Sequence, residues 1–495
     1  MTELPLSQLP RDLLLATGVY VAVLLLLGTL GRRAMGDSTL SEFYLAGRRI
    51  GLFVLLLTLF ATQYSGNSMS GFPGQTYRRG LSYIMSVTFM VGIVSGYLLF
   101  APRLYALSRR RRYITPTDFL AERFGSTTLN YLSATIFAVT LFNFLLAQLL
   151  ALGNAFSGLT QGRISFGAAV VGGAVVILVY ELLGGMRAVA WTDVLQGCLL
   201  MIGMLAIAFI VGREVGGPAA VVAAISEVAP EKVAIASPTV CLTWLSNFLL
   251  LGMGAPLYPQ AIQRIYAARR LGELRGALSA MAVVPLVAIT TVVFIGAVGI
   301  VLFPGLSGVE ADEITFKVIA HVVELEPAAY LAVLVVLMAI LAAIMSTADS
   351  CLLSLSSIFS KDFIARARGL SSVEAERLTR WTPLGSILAM FVLVLLARNR
   401  PTTLWNLLVI KFEILIQLSP ALILGTWHDR EDPRAFSARD ILRGLIAGLA
   451  VALGLYAAGY RTLGGIHAGT LGVAANYLVC FLSRGRPRPG PARAD

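Results

Sequence analysis

The chain has 495 residues, 57% of them hydrophobic and only 13% charged, with a net charge of +12 and a mean hydropathy of +0.79. An ordinary soluble domain carries about twice that share of charge, and a soluble fold cannot hide so much apolar surface in its core. Soluble enzymes, nucleic-acid-binding modules and disordered scaffolds are therefore excluded, leaving an all-α polytopic membrane protein with one crossing per ~20 apolar residues.

At the N-terminus, the apolar run Leu13 to Leu30 is longer than the core of a signal peptide. The pair Arg32 and Arg33 follows it instead of preceding it, so the run is expected to persist as a membrane helix. Marking apolar stretches between charge clusters predicts thirteen spans, near 12–30, 52–72, 81–102, 129–153, 165–182, 191–212, 237–262, 277–303, 328–355, 381–397, 403–425, 443–460 and 469–483. Nearly three quarters of the 39 Lys and Arg fall in alternate breaks, among them Arg48 and Arg49, the run Arg109 to Arg112, Arg269 and Arg270, and Lys361. That side is cytoplasmic by the positive-inside rule, with the N-terminus outside and the C-terminus inside. The breaks 213–236 and 304–327 are rich in Asp and Glu and fit the outer face. Residues 1–483 thus read as one transmembrane domain, and the Arg/Pro/Gly stretch 484–495 as a disordered cytoplasmic tail. Cys198, Cys241, Cys351 and Cys480 lie in or beside apolar runs and suggest no disulfide framework.

Gly and Pro clusters at membrane depth need a cavity or an ion to satisfy the backbone they expose. The second span carries such a cluster between Phe60 and Gly74, and the seventh another between Leu251 and Gln260. Their separation by five spans predicts an inverted repeat, with spans two to six (51–212) in one copy and seven to eleven (237–425) in the other. Span one and spans twelve and thirteen are then peripheral. Two unrelated kinks or small-residue packing seams are the alternative. In the ninth span, Ser346, Thr347 and Asp349 place two adjacent hydroxyls and a carboxylate inside an apolar helix, a donor set suited to a dehydrated hard cation. Asp193 caps the start of the sixth span or stands on an ion path. Lys411 and Glu413, two residues apart, do not share a helix face and read as anchors to neighbouring helices, with a proton role open.

At these positions the chain resembles the sodium:solute symporter family. The resemblance rests on Phe43-Tyr44-Leu45-Ala46-Gly47-Arg48, the stretch Gly184 to Gln196, Gln260-Ala261-Ile262-Gln263-Arg264 and Met345-Ser346-Thr347. It implies a LeuT-type inverted-repeat core and inward symport of a small organic solute (an amino acid, a carboxylate or vitamin, or a sugar-like compound) in a bacterial plasma membrane. Sodium is then co-transported, not a tightly held cofactor, and neither nucleic acid nor an obligate protein partner is implied. With Met69-Ser70-Gly71 as the anchor, the family's sodium site falls on the carbonyls of Gly66, Met69 and Ala343 and the hydroxyls of Ser346 and Thr347, and its coupling aspartate on Asp193. Solute-facing candidates are Gln63, Asn67, Ser68, Ser70, Asn143, Gln148, Trp244, Asn247, Tyr258 and Gln260. Under this anchor Ser68 stands where the proline symporters carry an aspartate, which argues against that subgroup.

Proton coupling, or a non-transporting nutrient sensor on the same fold, stays open from sequence. A channel is disfavoured because the polar residues cluster near mid-membrane. An enzyme is disfavoured because the sequence holds no metal-ligand cluster and His321, His428 and His467 lie in or near loops. The charge distribution predicts that, in a cysteine-free background, Arg213→Cys reacts with an impermeant thiol reagent added outside while Arg366→Cys is protected. Equal labelling of both from one side contradicts the threading.

Overall fold

The computed structural model describes residues 9–34, 39–160, 162–325, 330–366, 368–369, 382–397, 402–428, 432 and 434–484. All but the first residue of the expected tail lies outside them. Among the described residues, nine helices are long and apolar enough to cross a membrane by length and composition. Shorter apolar helices accompany them, including Leu52–Gln63 and Ala468–Ser483. Within the described residues, each segment expected from the apolar pattern is helical over most of its length, the second and seventh in two pieces. The fifth and sixth run together as Phe166–Glu214, kinked at Gly185, whose φ of 56° is left-handed.

Short elements between charge clusters escaped the apolar reading. Helices Pro116–Phe124, Gly217–Val228 and Ile314–Leu325 occupy expected breaks, and Thr462–Leu463 pairs with Ile466–His467 as a two-stranded hairpin. Each is shorter than a crossing, so a window tuned to ~20 apolar residues passes over it.

The outside of the bundle is apolar where a soluble protein would be polar. Val19, Phe209, Leu331, Phe391 and Leu482 are all more than 60% exposed, a surface that only lipid accommodates without penalty. The interior is tightly packed: span nine (Tyr330–Ser357) lies against Thr127–Leu159 and Phe166–Glu214, and Pro238–Gly254 against Phe89–Arg111. The last pair crosses backbone on backbone. A Cβ on Gly96 would stand 2.0 Å from the carbonyl oxygen of Gly252, and one on Gly252 only 3.1 Å from the backbone of Gly92.

The segment before the second span is shaped by its sequence. Ala46, Gly47 and Arg48 are all left-handed, with φ of 50°, 63° and 59°. This turn buries Arg48, which donates to the carbonyls of Tyr113 and Tyr266, and Ile50 bridges to Ala268 at the end of the seventh span. The first spans of the two expected repeats are thus tied together at one end.

Close crossing of the third and seventh spans yields a stability prediction. Gly96→Leu overpacks a backbone contact and should cost about 1–3 kcal/mol or more, lowering the unfolding midpoint in detergent. Gly454→Leu, whose added Cβ meets nothing within 4 Å, should leave it unchanged. Equal midpoints for both variants refute the crossing.

Candidate functional site

Helix Leu52–Gln63 stops because Tyr64 is extended, at φ −92° and ψ 109°. The two amides that would close the next turn are diverted. Ser65 N–H points to Ser68 Oγ at 3.4 Å, and Gly66 N–H donates to Gln148 Oε1 at 2.9 Å. The carbonyls of Ala61 and Thr62 therefore lose their helical partners. Ser346 of the ninth span donates to Ala61 O at 2.9 Å, and the Thr347 hydroxyl lies 3.5 Å from Thr62 O. Both hydroxyls also reach Ala343 O, at 3.2 and 3.1 Å. Five oxygens from two spans thus gather in an interior where Ser346 and Thr347 are fully buried. Hydroxyls that now donate to carbonyls have lone pairs to offer a cation in their place.

Gly66 and Met69, expected in this set, follow directly after the break. Met69 O accepts the Thr315 hydroxyl at 2.7 Å, and Gly66 packs against Ala151, Gln148 and Ile344. The chain is helical again from Asn67, through a π turn at Asn67–Gly71 into Phe72–Arg79. The extended break is at Tyr64 and Ser65, directly before Gly66 and inside the Phe60–Gly74 stretch expected from sequence. Ala343, Ser346 and Thr347 do come together.

The seventh span is broken at the matching place. Pro238–Gly254 gives way to a tight turn at Ala255–Leu257, and Pro259–Ala267 restarts with a proline at its first position. Tyr258 at the break stacks on Phe144, ring centroids 5.0 Å apart at 19°, and lies 5.2 Å from Phe412. A narrow cavity of about 50 Å³ lies between the two breaks, lined by Gln63, Ser65, Ser68, Phe144, Tyr258 and Phe412 among others. Phe72 and Phe89 also line it, and with Tyr83 and Trp405 they form an edge-to-face cluster with centroids 5.4–6.5 Å apart. Trp405 in turn lines a wider vestibule of about 350 Å³, with Gln75, Arg78, Arg79, Glu413 and His467.

The solute candidates divide accordingly. Gln63, Ser68 and Tyr258 line the cavity. Gln148 holds the break with one end of its amide, and the other donates to Phe144 O. Asn67, Ser70, Asn143, Asn247 and Gln260 each carry a buried polar atom without a hydrogen-bond partner, outside the cavity lining. Trp244 does not line it either. The aromatic walls Phe144 and Phe412 were missed because a search for polar groups passes over apolar linings, although such linings are what small-molecule pockets usually have.

Below the broken second span is a buried ionic knot. Arg264 donates to Asp193 Oδ2 at 2.8 Å, Thr58 Oγ1 at 2.7 Å, Ser350 Oγ at 2.6 Å and Gln260 O at 3.0 Å, and Thr58 donates to Asp193. Arg264 and Asp193 are both wholly inaccessible to solvent. Spans two, six, seven and nine thus meet at one guanidinium, whose planar fork supplies enough donors to reach all of them. Asp193 Oδ1 and both oxygens of Asp349 are buried without hydrogen-bond partners. Among the described residues no cluster of His, Cys, Asp and Glu forms a metal site; the oxygens at Ala61, Thr62, Ala343, Ser346 and Thr347 are carbonyls and hydroxyls, a donor set of hard, neutral oxygens.

Two interrupted spans around a central cavity, with a hydroxyl-bearing ninth span beside the first, define a secondary transporter of LeuT-type fold. A sodium-coupled sialic acid symporter, solved in a substrate-bound outward-open state, matches that fold with a TM-score of 0.73 over 98% of this chain and 100% of its own, at 18% identity. The chain belongs to the sodium:solute symporter family, whose profile matches residues 43–432. The osmoregulated proline transporter of Bacillus subtilis is 25% identical over 90% of this chain and 91% of its own. The sodium/pantothenate symporter of Haemophilus influenzae is 26% identical over 75% of each. The protein is accordingly a multi-pass membrane symporter that moves a small solute with sodium as the co-transported ion.

Removing one partner from a buried ion pair strands the other, typically at about 3–5 kcal/mol. Arg264→Gln or Asp193→Asn alone should therefore destabilise the detergent-solubilised protein by that order. Combining them should cost clearly less than the sum, as a double-mutant cycle in thermal or denaturant unfolding would measure. Strict additivity contradicts the pairing.

Proposed function

We propose that sodium binds between the broken second span and the ninth, on the carbonyls of Ala61, Thr62 and Ala343 and the hydroxyls of Ser346 and Thr347. The observation that carries this is the meeting of two freed carbonyls with two adjacent hydroxyls at a fully buried point. The carbonyls' present partners are hydroxyls that can turn their own oxygens to a dehydrated cation, so an ion can take the place of these hydrogen bonds. The solute binds one step away in the cavity between the breaks, against Gln63, Ser68 and Tyr258. Sodium and solute then share the segment Ala61 to Ser68, which couples their affinities.

Alternating access follows from what closes each end. On the side that the charge distribution assigns to the outside, the cluster of Phe72, Tyr83, Phe89 and Trp405 separates cavity from vestibule. On the inner side, the Arg264 knot ties four spans together. Opening inward must loosen that knot, and Asp193 with its free Oδ1, followed by Asp349, offers sodium a carboxylate path out. Rocking of spans two to six against seven to eleven would exchange the two closures.

Ser346→Ala and Thr347→Ala each delete one oxygen ligand that water cannot replace. Either should raise the sodium concentration for half-maximal uptake into proteoliposomes at least tenfold, with little change in solute affinity at saturating sodium. Wild-type sodium dependence in both variants refutes this placement of the ion.

A further inference from the structure

We propose that the solute carries a carboxylate and that Lys411 is the residue that recognises it; the proposal rests on the cavity between the two broken spans being the solute site. Lys411 belongs to the eleventh span, is 1% exposed, and is wrapped by aromatic rings. Its ammonium lies 3.2 Å from the ring centroid of Phe144, 5.3 Å from that of Tyr258 and 5.4 Å from that of Phe412. Ring faces attract a cation but do not match the three N–H donors an ammonium presents, and Lys411 Nζ makes no hydrogen bond. Glu413 does not relieve it, because its carboxylate lies 3.4 Å from Nδ1 of His467 instead. A buried, unpaired ammonium is costly to keep unless some stage of the cycle supplies its counter-charge.

The location indicates where that charge comes from. Phe144, Tyr258 and Phe412, the three rings around the ammonium, also line the central cavity. The polar lining residues Gln63, Ser65, Ser68 and Ser86 are neutral, and no lining residue is charged. A solute entering there has Lys411 behind three of the lining rings, and a carboxylate turned toward that wall supplies the counter-charge that the ammonium lacks. The vestibule beyond Trp405 points the same way: Arg79 and Arg461 line it with Arg78, itself paired with Asp312 at 3.0 Å, and Glu413 is the single acid in its lining, a balance that favours anions.

The test uses the purified full-length protein in detergent and acid/amide pairs of nearly equal shape: benzoate and benzamide, lactate and lactamide, L-proline and L-prolinamide. Unfolding midpoints are followed against solute concentration in sodium chloride and in choline chloride. At least one acid should raise the midpoint in sodium at a concentration tenfold or more below that needed by its amide. Lys411→Met should abolish that preference and Lys411→Arg retain part of it. Folding is not in doubt for the methionine variant, because it removes an unpaired buried charge and its solute-free midpoint should equal or exceed the wild type. A panel in which no acid outperforms its amide, whether both act or neither does, overturns the proposal, as does an acid preference that survives in Lys411→Met. Stabilisation by sodium over choline without solute is read separately in the wild type. Its absence refutes the sodium site while leaving the carboxylate result standing.

Discussion

A helix that breaks inside a membrane protein leaves amides and carbonyls that water cannot reach, and each must find another partner. In the second span the amides find theirs within the protein, Ser68 for Ser65 and Gln148 for Gly66. The carbonyls of Ala61 and Thr62 find only the hydroxyls of Ser346 and Thr347. That asymmetry is the basis of the proposed ion site. A rotatable hydroxyl can turn its own lone pair to a cation and release the carbonyl to it, whereas a helical amide cannot leave its carbonyl without breaking the helix. The site is thus a consequence of where the helix stops, more than of which side chains surround it.

Everything else in the core keeps that stop in place or makes use of it. Gln148 gives up both ends of its amide to backbone groups and is therefore a scaffold of the break, although its chemistry suits a ligand equally well. Thr315 secures the resumed helix through Met69 O, and Gly74 lets the 308–313 turn approach, since a Cβ there would fall 2.7 Å from Ala311 O. Arg264 draws the unbroken half of the second span onto the sixth, seventh and ninth. A guanidinium with four hydrogen-bond partners tolerates burial but not the loss of one partner, so loosening the knot carries a cost that the proposed inward opening has to meet.

Much of this was legible in the sequence, and the parts that were not share a physical cause. Long apolar runs announce helices whatever their partners, and two adjacent hydroxyls in an apolar helix stand out at Ser346 and Thr347. A carbonyl ligand leaves no trace in residue type. Ala61 and Thr62 are ordinary helix residues, and nothing in their side chains marks the carbonyls that the break at Tyr64 and Ser65 sets free. The cavity walls were hidden for the opposite reason: Phe144 and Phe412 look like any core aromatic until Lys411 is seen between them. Arg264 reads as one more loop charge ahead of Arg269 and Arg270. The one cue to its burial is its position four residues after Gln260 in a short helix that begins at Pro259, which places it a full turn inside.

The central claim is that the geometry of the break creates the ion site, and Gln148 offers the most direct access to it because it holds the break without supplying a ligand. Equilibrium binding of radioactive sodium to purified Gln148→Leu, with Ala61, Ser346 and Thr347 intact, separates geometry from ligand identity. Losing the acceptor for a buried amide typically costs about 1–3 kcal/mol, so the variant should bind sodium roughly 5–150-fold more weakly while remaining folded. Sodium affinity equal to the wild type would contradict the account.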